Sequence, residues 1–337
     1  MTPPATSVVI VSRERPRALT RCLAALRQID HPAFEVIVAA DAPGRDAVRA
    51  AGLARRVKVV AVDAPGIGAA RNAGLAAAAA PVAAFIDDDA VPEPSWLAHL
   101  SAALAEGPAI AAGGFVRGAN GIDYQYRARS IDTGLRHRDL TVPGDAPFRP
   151  DPGAGRAVRT EGTNMAFRRE ALIAHGGFDP AYLYYLDETD LNMRLARAGE
   201  ITVIVPRAEI HHLMAPSALR AADRAPRSLV EIGASVAVFT GRHTPEGARP
   251  AAEAQARADA RRSVIRQLVR GGVEPRDVAR LMNSFEAGLT AGRARPAHQA
   301  VQFPAPPPFL PFPGAPGRSQ SALAGRVWRA GTWRRRA

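Results

Sequence analysis

The first hundred residues predict an α/β fold, a parallel sheet with helices on both faces. Three observations carry that prediction. Short β-branched runs alternate with stretches of helical period. The runs are apolar throughout, as strands covered from two sides must be. After about Pro216 the pattern becomes helical alone, which predicts a helical C-terminal subdomain.

Taken in order, residues 7–12 (SVVIVS) read as a buried strand. Residues 16–28 place Leu19, Cys22, Leu23 and Leu26 on one helical face. A strand at 34–39, a helix at 45–53, a strand at 57–62, a helix from 69 and a strand at 82–86 complete the alternation. Right-handed crossovers bring the C-terminal ends of such strands to one edge, where ligands bind. Beyond this, Trp96, Leu97, Leu100 and Leu104 mark a helix, and 109–116 a strand. Residues 117–160, rich in Gly, Arg, Asp and Pro, read as a long loop. Helices are expected at 169–175 and 188–198, a strand at 201–205, and then helices at 228–240, 251–269 and 274–289. Seven prolines between Pro304 and Pro316 predict a linker that packs no core. The resulting division is 1–220, a helical part at 221–292, and a disordered Pro- and Arg-rich tail at 293–337.

Composition excludes several classes. Hydrophobic residues make up 47% and charged residues 23% of 337, so a packed core is available and global disorder is not expected. No run approaches the roughly 20 apolar residues of a membrane span. Residues 1–6 lack a basic-then-apolar leader, so the expected location is the cytoplasm, with peripheral contact at the inner membrane face. The single cysteine, Cys22, leaves no disulfide framework and no cysteine-based zinc site. Net charge is +12, but eight arginines and no acid between Gly292 and Ala337 carry +8 of it. Trp328 and Trp333 among those arginines suit an anionic membrane or single-stranded nucleic acid, and a solubilising tail accounts for them equally well. A nearly balanced body argues against nucleic acid as a partner.

The sharpest chemical feature is Asp87-Asp88-Asp89, three carboxylates ending an apolar strand. Crowded carboxylates repel and need a cation, donors or water; Mg²⁺ or Mn²⁺ with oxygen ligands suits them. Taken alone, a solvated acidic turn explains the triplet as well. Residues 66–74 (GIGAARNAG) put small residues before a helix, where a phosphate is favoured and Arg71 can add charge. A plain strand-to-helix turn is the competing reading, because the P-loop lysine is missing. Asp187-Glu188-Thr189-Asp190 is a second acidic cluster at a helix start, where capping alone favours acids. His211-His212 follow a strand and can supply a metal ligand.

In this order, these segments closely resemble the family 2 glycosyltransferases, inverting enzymes of the GT-A fold, over about residues 6–220. The resemblance rests on SVVIVSRERPRALTRCLAAL, FEVIVAADAPG, GIGAARNAG, FIDDDAVPEPSWL, GTNMAFRREALIAHGGFDPAY and DETDLNMRLARAG. It implies a hexosyltransferase-type enzyme of polysaccharide biosynthesis. Such an enzyme moves a sugar from a nucleotide-diphosphate donor, UDP- or dTDP-linked, to a saccharide or lipid-linked acceptor. On this resemblance Asp89 binds Mn²⁺ or Mg²⁺, with one of His211 and His212 as a further ligand. Asp87 and Asp88 lie near the ribose and the metal's waters. Asp41 hydrogen-bonds the base, Arg71 lies near base or diphosphate, and Val11, Ser12 and Arg13 border the nucleotide. Gly68 and Asn72 belong to the same donor-side motif. Gly162 and Asn164 fall in an acceptor-side segment. The family's Glu-Asp pair is reversed here as Asp187-Glu188; register makes Glu188 the base and Asp187 the fallback, with Asp190 structural. Two other readings compete. A sugar nucleotidyltransferase would carry a glycine-rich loop after the first strand, and residues 12–16 (SRERP) hold no glycine. An inactive scaffold of the same fold would not need to keep both acidic clusters.

Overall fold

The computed structural model describes residues 2–105, 107–298 and 300–314, with the backbone of 322–324 and 334–336. The N-terminal alternation is present: β1 (Thr6–Ser12), α1 (Pro16–Leu26), β2 (Phe34–Ala40), α2 (Ala42–Ala50), β3 (Lys58–Ala61), α3 (Ile67–Ala77) and β4 (Val82–Asp87). β5 (Ala90–Pro92), α4 (Trp96–Ala102) and β6 (Ala109–Arg117) follow. Next come four short strands, β7 (Tyr124–Tyr126), β8 (Arg129–Asp132), β9 (His137–Asp139) and β10 (Arg156–Arg159). β11 (Met165–Arg168), α5 (Arg169–Ala174), α6 (Asp187–Arg197) and β12 (Ile201–His212) close the sheet. The helices α7 (Val230–His243), α8 (Arg249–Val269) and α9 (Pro275–Arg293) come last, before a short ladder of β13 (Ala322–Ala324) and β14 (Arg334–Arg336).

The main sheet runs β3-β2-β1-β4-β11-β6-β12-β5, with β7 added on β6. β1 to β4 pair in parallel, whereas β11 runs antiparallel to both of its neighbours. Strand alternation explains why two cores form. On β1, Val8 and Ile10 pack with Leu19, Cys22 and Leu23 of α1. Val9 points the other way, toward Leu75, Phe85, Phe167 and Phe178. There Phe178 meets Phe85 edge-on at 5.1 Å, a contact worth about 0.5–1.5 kcal/mol beyond its buried area.

Three expectations change. Residues 117–160 are not a plain loop: β8, β9 and β10 form a small sheet of their own. Strands of three or four residues are too short to show a period; cross-strand ion pairs help hold them. Arg129 faces Asp139 at 2.7 Å and Arg156 faces Asp132 at 2.9 Å. The helical C-terminal part is not a separate body, because Phe239, Leu281 and Phe285 share one apolar cluster with Tyr182, Leu186 and Met193. Its helices come very close: a Cβ on Gly233 would stand 2.2 Å from the Phe285 carbonyl, and one on Gly288 2.1 Å from that of Val230.

Third, residues 300–314 are packed rather than a free linker. Prolines prevent helix and ladder there, but they do not prevent an extended strap with apolar anchors. Phe312 lies 5.5 Å from Phe34, and its N–H donates to the Phe34 carbonyl. Glu35, fully buried, accepts from Ser7, Ala79 and the Leu310 N–H and pairs with the chain's one lysine, Lys58. Apart from the β13–β14 backbone, the expected tail from residue 315 onward lies outside the described residues. Among the described residues, no helix is long and apolar enough to cross a membrane.

Candidate active site

β4 ends at Asp87, beside Val11 of β1, so the acidic triplet emerges at the C-terminal edge of the parallel strands. The strand stops at Asp87, and Asp88 and Asp89 stand in the turn that follows. One ligand atom each from Asp87, Asp89 and His212 lies within 4.8 Å of the others. Asp88 is not part of that trio; it is fully buried, with Arg15 Nη2 at 2.6 Å. Burial pushes its carboxyl up to about 7 against the pull of Arg15. Strand alternation on β12 resolves the histidine pair: His212 Nε2 lies 3.3 Å from Asp89 Oδ1, while His211 faces Glu93 at 2.7 Å. His211 and Asp88 therefore stand outside the cluster.

Asp89 is almost fully buried, and its Oδ2 accepts from Arg15 Nη1 at 3.0 Å and from the Ala215 N–H at 2.8 Å. Burial opposes its charge, but His212 and Arg15 outweigh burial and hold the carboxyl below its ordinary range. Asp89 Oδ1 is buried with no hydrogen-bond donor of good geometry. Two carboxylates and an imidazole around that oxygen are a donor set that fits a hard divalent cation.

The glycine-rich turn plays a different part from the one expected of it. The first N–H groups of α3 are already used: Ile67 donates to Leu183 O at 3.1 Å and Gly68 to Tyr182 O at 3.2 Å. Those two donors are therefore not free for a phosphate. Gly68 is required by close approach, since a Cβ would stand 2.4 Å from the Asp179 carbonyl. Asn72 exchanges hydrogen bonds with the Phe178 backbone and does not reach the cleft. Arg71 does reach it: its buried guanidinium pairs with Asp187, donates to Gly162 O at 3.0 Å and lies 3.5 Å from Asp87. It thus bridges the two acidic clusters.

α6 starts after Leu186, which takes a left-handed conformation at φ 69°. Asp187 and Glu188 fall in its first turn, where the helix dipole favours acids. Burial pushes Asp187 up to about 7, opposed by Arg71. Glu188 Oε1 lies 3.3 Å from Arg159 Nη2 and accepts from Thr189 Oγ1 at 2.8 Å. Burial works against the Glu188 charge, but Arg159 and Arg71 outweigh it and hold the carboxyl below its ordinary range. Arg159 also pairs with Glu161 at 2.9 Å. Asp190, one turn on, faces the protein: it accepts from Arg194 at 2.9 Å and from the Tyr182 hydroxyl at 3.3 Å, and lies 2.8 Å from His243 Nε2.

A cleft of about 630 Å³ contains Asp87, Asp89, His212, Arg71, Asp187 and Glu188 in its lining. Val11, Ser12, Arg13 and Gly162 line it, as expected of the nucleotide and acceptor segments. Six expected residues do not: Gly68, Asn72, Asp88 and His211, already placed above, and Asp41 and Asn164. Asp41 caps α2, its carboxylate accepting from the Gly44 and Glu14 N–H groups at 3.1 and 2.7 Å. Asn164 is fully buried, accepting from Trp96 Nε1 and donating to the Phe115 and Ala208 carbonyls. In both cases, short polar side chains near the site serve the backbone around it. Arg15, Arg159 and Glu161 line the cleft without having been singled out from sequence. The available signal was their position, next to Pro16 and just ahead of Gly162.

Comparison with known proteins fits this geometry. A family profile described as Glycosyl transferase family 2 matches residues 7–176. A segment of 56 residues is 43% identical to an N-acetylglucosaminyl-diphospho-decaprenol L-rhamnosyltransferase of Mycobacterium tuberculosis, covering 17% of this chain and 18% of that protein. The mannosyltransferase PcManGT of Pyrobaculum calidifontis, solved with GDP-Man and Mn²⁺, is 16% identical with a TM-score of 0.50 over 87% of each chain. Residues 1–349 of S. aureus TarS give 16% identity and a TM-score of 0.47 over 76% of this chain and 68% of that one. The chain spans less than a fifth of the curated relatives it matches, but with half of its length matched by the profile it belongs to glycosyl transferase family 2, and it has the GT-A fold.

Proposed function

We propose that the chain transfers a sugar, with inversion, from a nucleotide-diphosphate sugar to an acceptor hydroxyl. The observation that carries this is one cleft holding both the Asp87–Asp89–His212 cluster and a carboxylate, Glu188, that two arginines keep ionised. Asp87, Asp89 and His212 would hold Mn²⁺ or Mg²⁺. The cation supplies neutralisation of the charge that develops on the departing diphosphate. Val11, Ser12 and Arg13 border the nucleotide from the ends of the parallel strands.

Glu188 is the general base. A base must be ionised to accept the acceptor's proton, and its environment meets that condition. Arg159 orients the carboxylate through Nη2. Arg71 ties Asp187 to Asp87 on the donor side. One base and one displacement give inversion. The PcManGT complex supports a nucleotide-sugar donor and a cation, and the rhamnosyltransferase likeness supports a lipid-diphosphate acceptor.

The test is a panel of nucleotide sugars incubated with the full chain and Mn²⁺, followed by product NMR. One donor should be hydrolysed or transferred in a cation-dependent way, with the anomeric configuration inverted. Retained configuration rejects the mechanism; a panel with no binding and no turnover favours the inactive-scaffold reading.

A further inference from the structure

A second cavity, of about 500 Å³, opens beside the catalytic cleft, against α7, α8 and α9. Tyr184, Tyr185, Leu219, Arg220 and Arg224 line both spaces, so the two adjoin along that wall. Its volume lies within the range of small-ligand pockets.

The lining has two characters. Leu229, Val236 and Phe285 form an apolar floor and belong to the buried core. Arg220, Arg224, Arg262 and Arg266 face Asp259 as the one acid in the lining. Arg262 is taken by Asp259. Among the described residues, Arg220, Arg224 and Arg266 have no carboxylate within ion-pair distance, and the Arg220 guanidinium lies 5.8 Å from the Tyr184 ring centre. Burial, with Arg220 and Arg270 nearby, depresses the Arg224 guanidinium below its ordinary range, the mark of cations gathered without an anion. Val269, 83% exposed, continues the face of α8 that carries Arg262 and Arg266.

Unpaired guanidinium groups over an apolar floor complement an anion that carries a hydrocarbon chain. An inorganic phosphate would use only the arginines, and a neutral sugar would use neither feature. The geometry points to this cavity as the acceptor's subsite, taking a lipid-linked diphosphate sugar. Its phosphates meet Arg220, Arg224 and Arg266, its first hydrocarbon units lie on Leu229, Val236 and Phe285, and its sugar reaches into the cleft toward Glu188. This inference rests on the transferase reading above and adds the place where the acceptor's diphosphate and hydrocarbon bind.

Calorimetry on the full chain with farnesyl diphosphate tests it. The titration is run in EDTA, so that no cation bridges the probe to Asp87 and Asp89. Farnesyl diphosphate should bind at least about 10-fold tighter than inorganic diphosphate and than a neutral alkyl glycoside of similar chain length. Arg266→Ala should weaken it about 5–10-fold, the loss of one charge-assisted contact, and Ala260→Trp, which fills the cavity, more. Arg266 is exposed on α8, so its variant should fold even if Ala260→Trp does not. Equal affinity for inorganic diphosphate, or no effect of Arg266→Ala, overturns the proposal. Nucleotide and Mn²⁺ binding should be unchanged in both variants. Loss of the farnesyl diphosphate effect with donor turnover intact removes only the acceptor subsite. Farnesyl diphosphate binding as expected, without any nucleotide-sugar binding, sustains the subsite and overturns the transferase reading.

Discussion

The end of β4 and the start of α6 each present three acids within four residues, and the two backbones sort them differently. At the turn that follows β4, Asp87 and Asp89 reach the cleft while Asp88 is buried against Arg15. On the helix, Asp187 and Glu188 face the cleft together while Asp190, a turn away, faces the protein. The two acids turned inward then differ in charge state. Asp88 has Arg15 as its ion-pair partner, and burial wins, pushing it up to about 7. Asp190 has Arg194, His243 and Tyr182, and they outweigh burial to hold it below its ordinary range. Partners decide the ionisation of a buried carboxylate; burial alone does not.

Four measurements break or sharpen this contrast. The largest effect is expected at α6: Glu188→Gln should reduce transfer by about 10²–10⁴-fold while leaving donor binding intact, because the base touches the acceptor. If Asp187→Asn abolishes transfer and Glu188→Gln keeps it, the two roles exchange. At β4 the signature should differ. Asp89→Asn should weaken Mn²⁺ and nucleotide-sugar binding together, by about 10–100-fold, seen by calorimetry. Unchanged donor affinity in that variant removes Asp89 from the cation site.

Asp190→Asn comes third and should appear in stability rather than in chemistry. Losing charged hydrogen bonds costs about 2 kcal/mol, read as a lower urea midpoint at pH 7. Its carboxyl sits below the ordinary value of 3.8, so its stabilising contribution is fully present above about pH 4 and is lost as pH falls through the folded value. The wild type and Asp190→Asn should therefore converge in stability at low pH.

The smallest effect lies outside both clusters and serves as a control. His31, packed at the foot of the sheet, accepts the Ala33 N–H at Nδ1 and lies 3.1 Å from Ser101 Oγ at Nε2. Burial lowers it from 6.5 to about 4. The unfolded chain binds the extra proton across that window, so stability should fall as pH drops from 6.5 to 4. His31→Asn should flatten that slope and leave transfer unaffected.

Much of this molecule was legible in the chain. The β-branched runs, the face Leu19-Cys22-Leu23-Leu26 and the triplet after Ile86 predicted the parallel sheet and the acids at its edge, because each is a local pattern with one backbone period. Legibility stopped where a role depends on contacts far along the chain. Asp41 and Asn164 are polar residues in matching segments, yet one caps a helix and the other ties Trp96 to two carbonyls. The Pro-rich strap reads as unpacked because its anchors are Phe34 and Glu35, some 275 residues upstream.

The sequence by itself determined the fold class, the family resemblance and the two acidic clusters; these follow from periodicity and from residue order. Tertiary structure alone decided which members act together. It chose His212 over His211, turned Asp88 inward, set Arg71 between the clusters and placed Arg159 on Glu188. Those choices depend on which face of a strand or helix meets which neighbour, and a chain fixes that only when its elements pack.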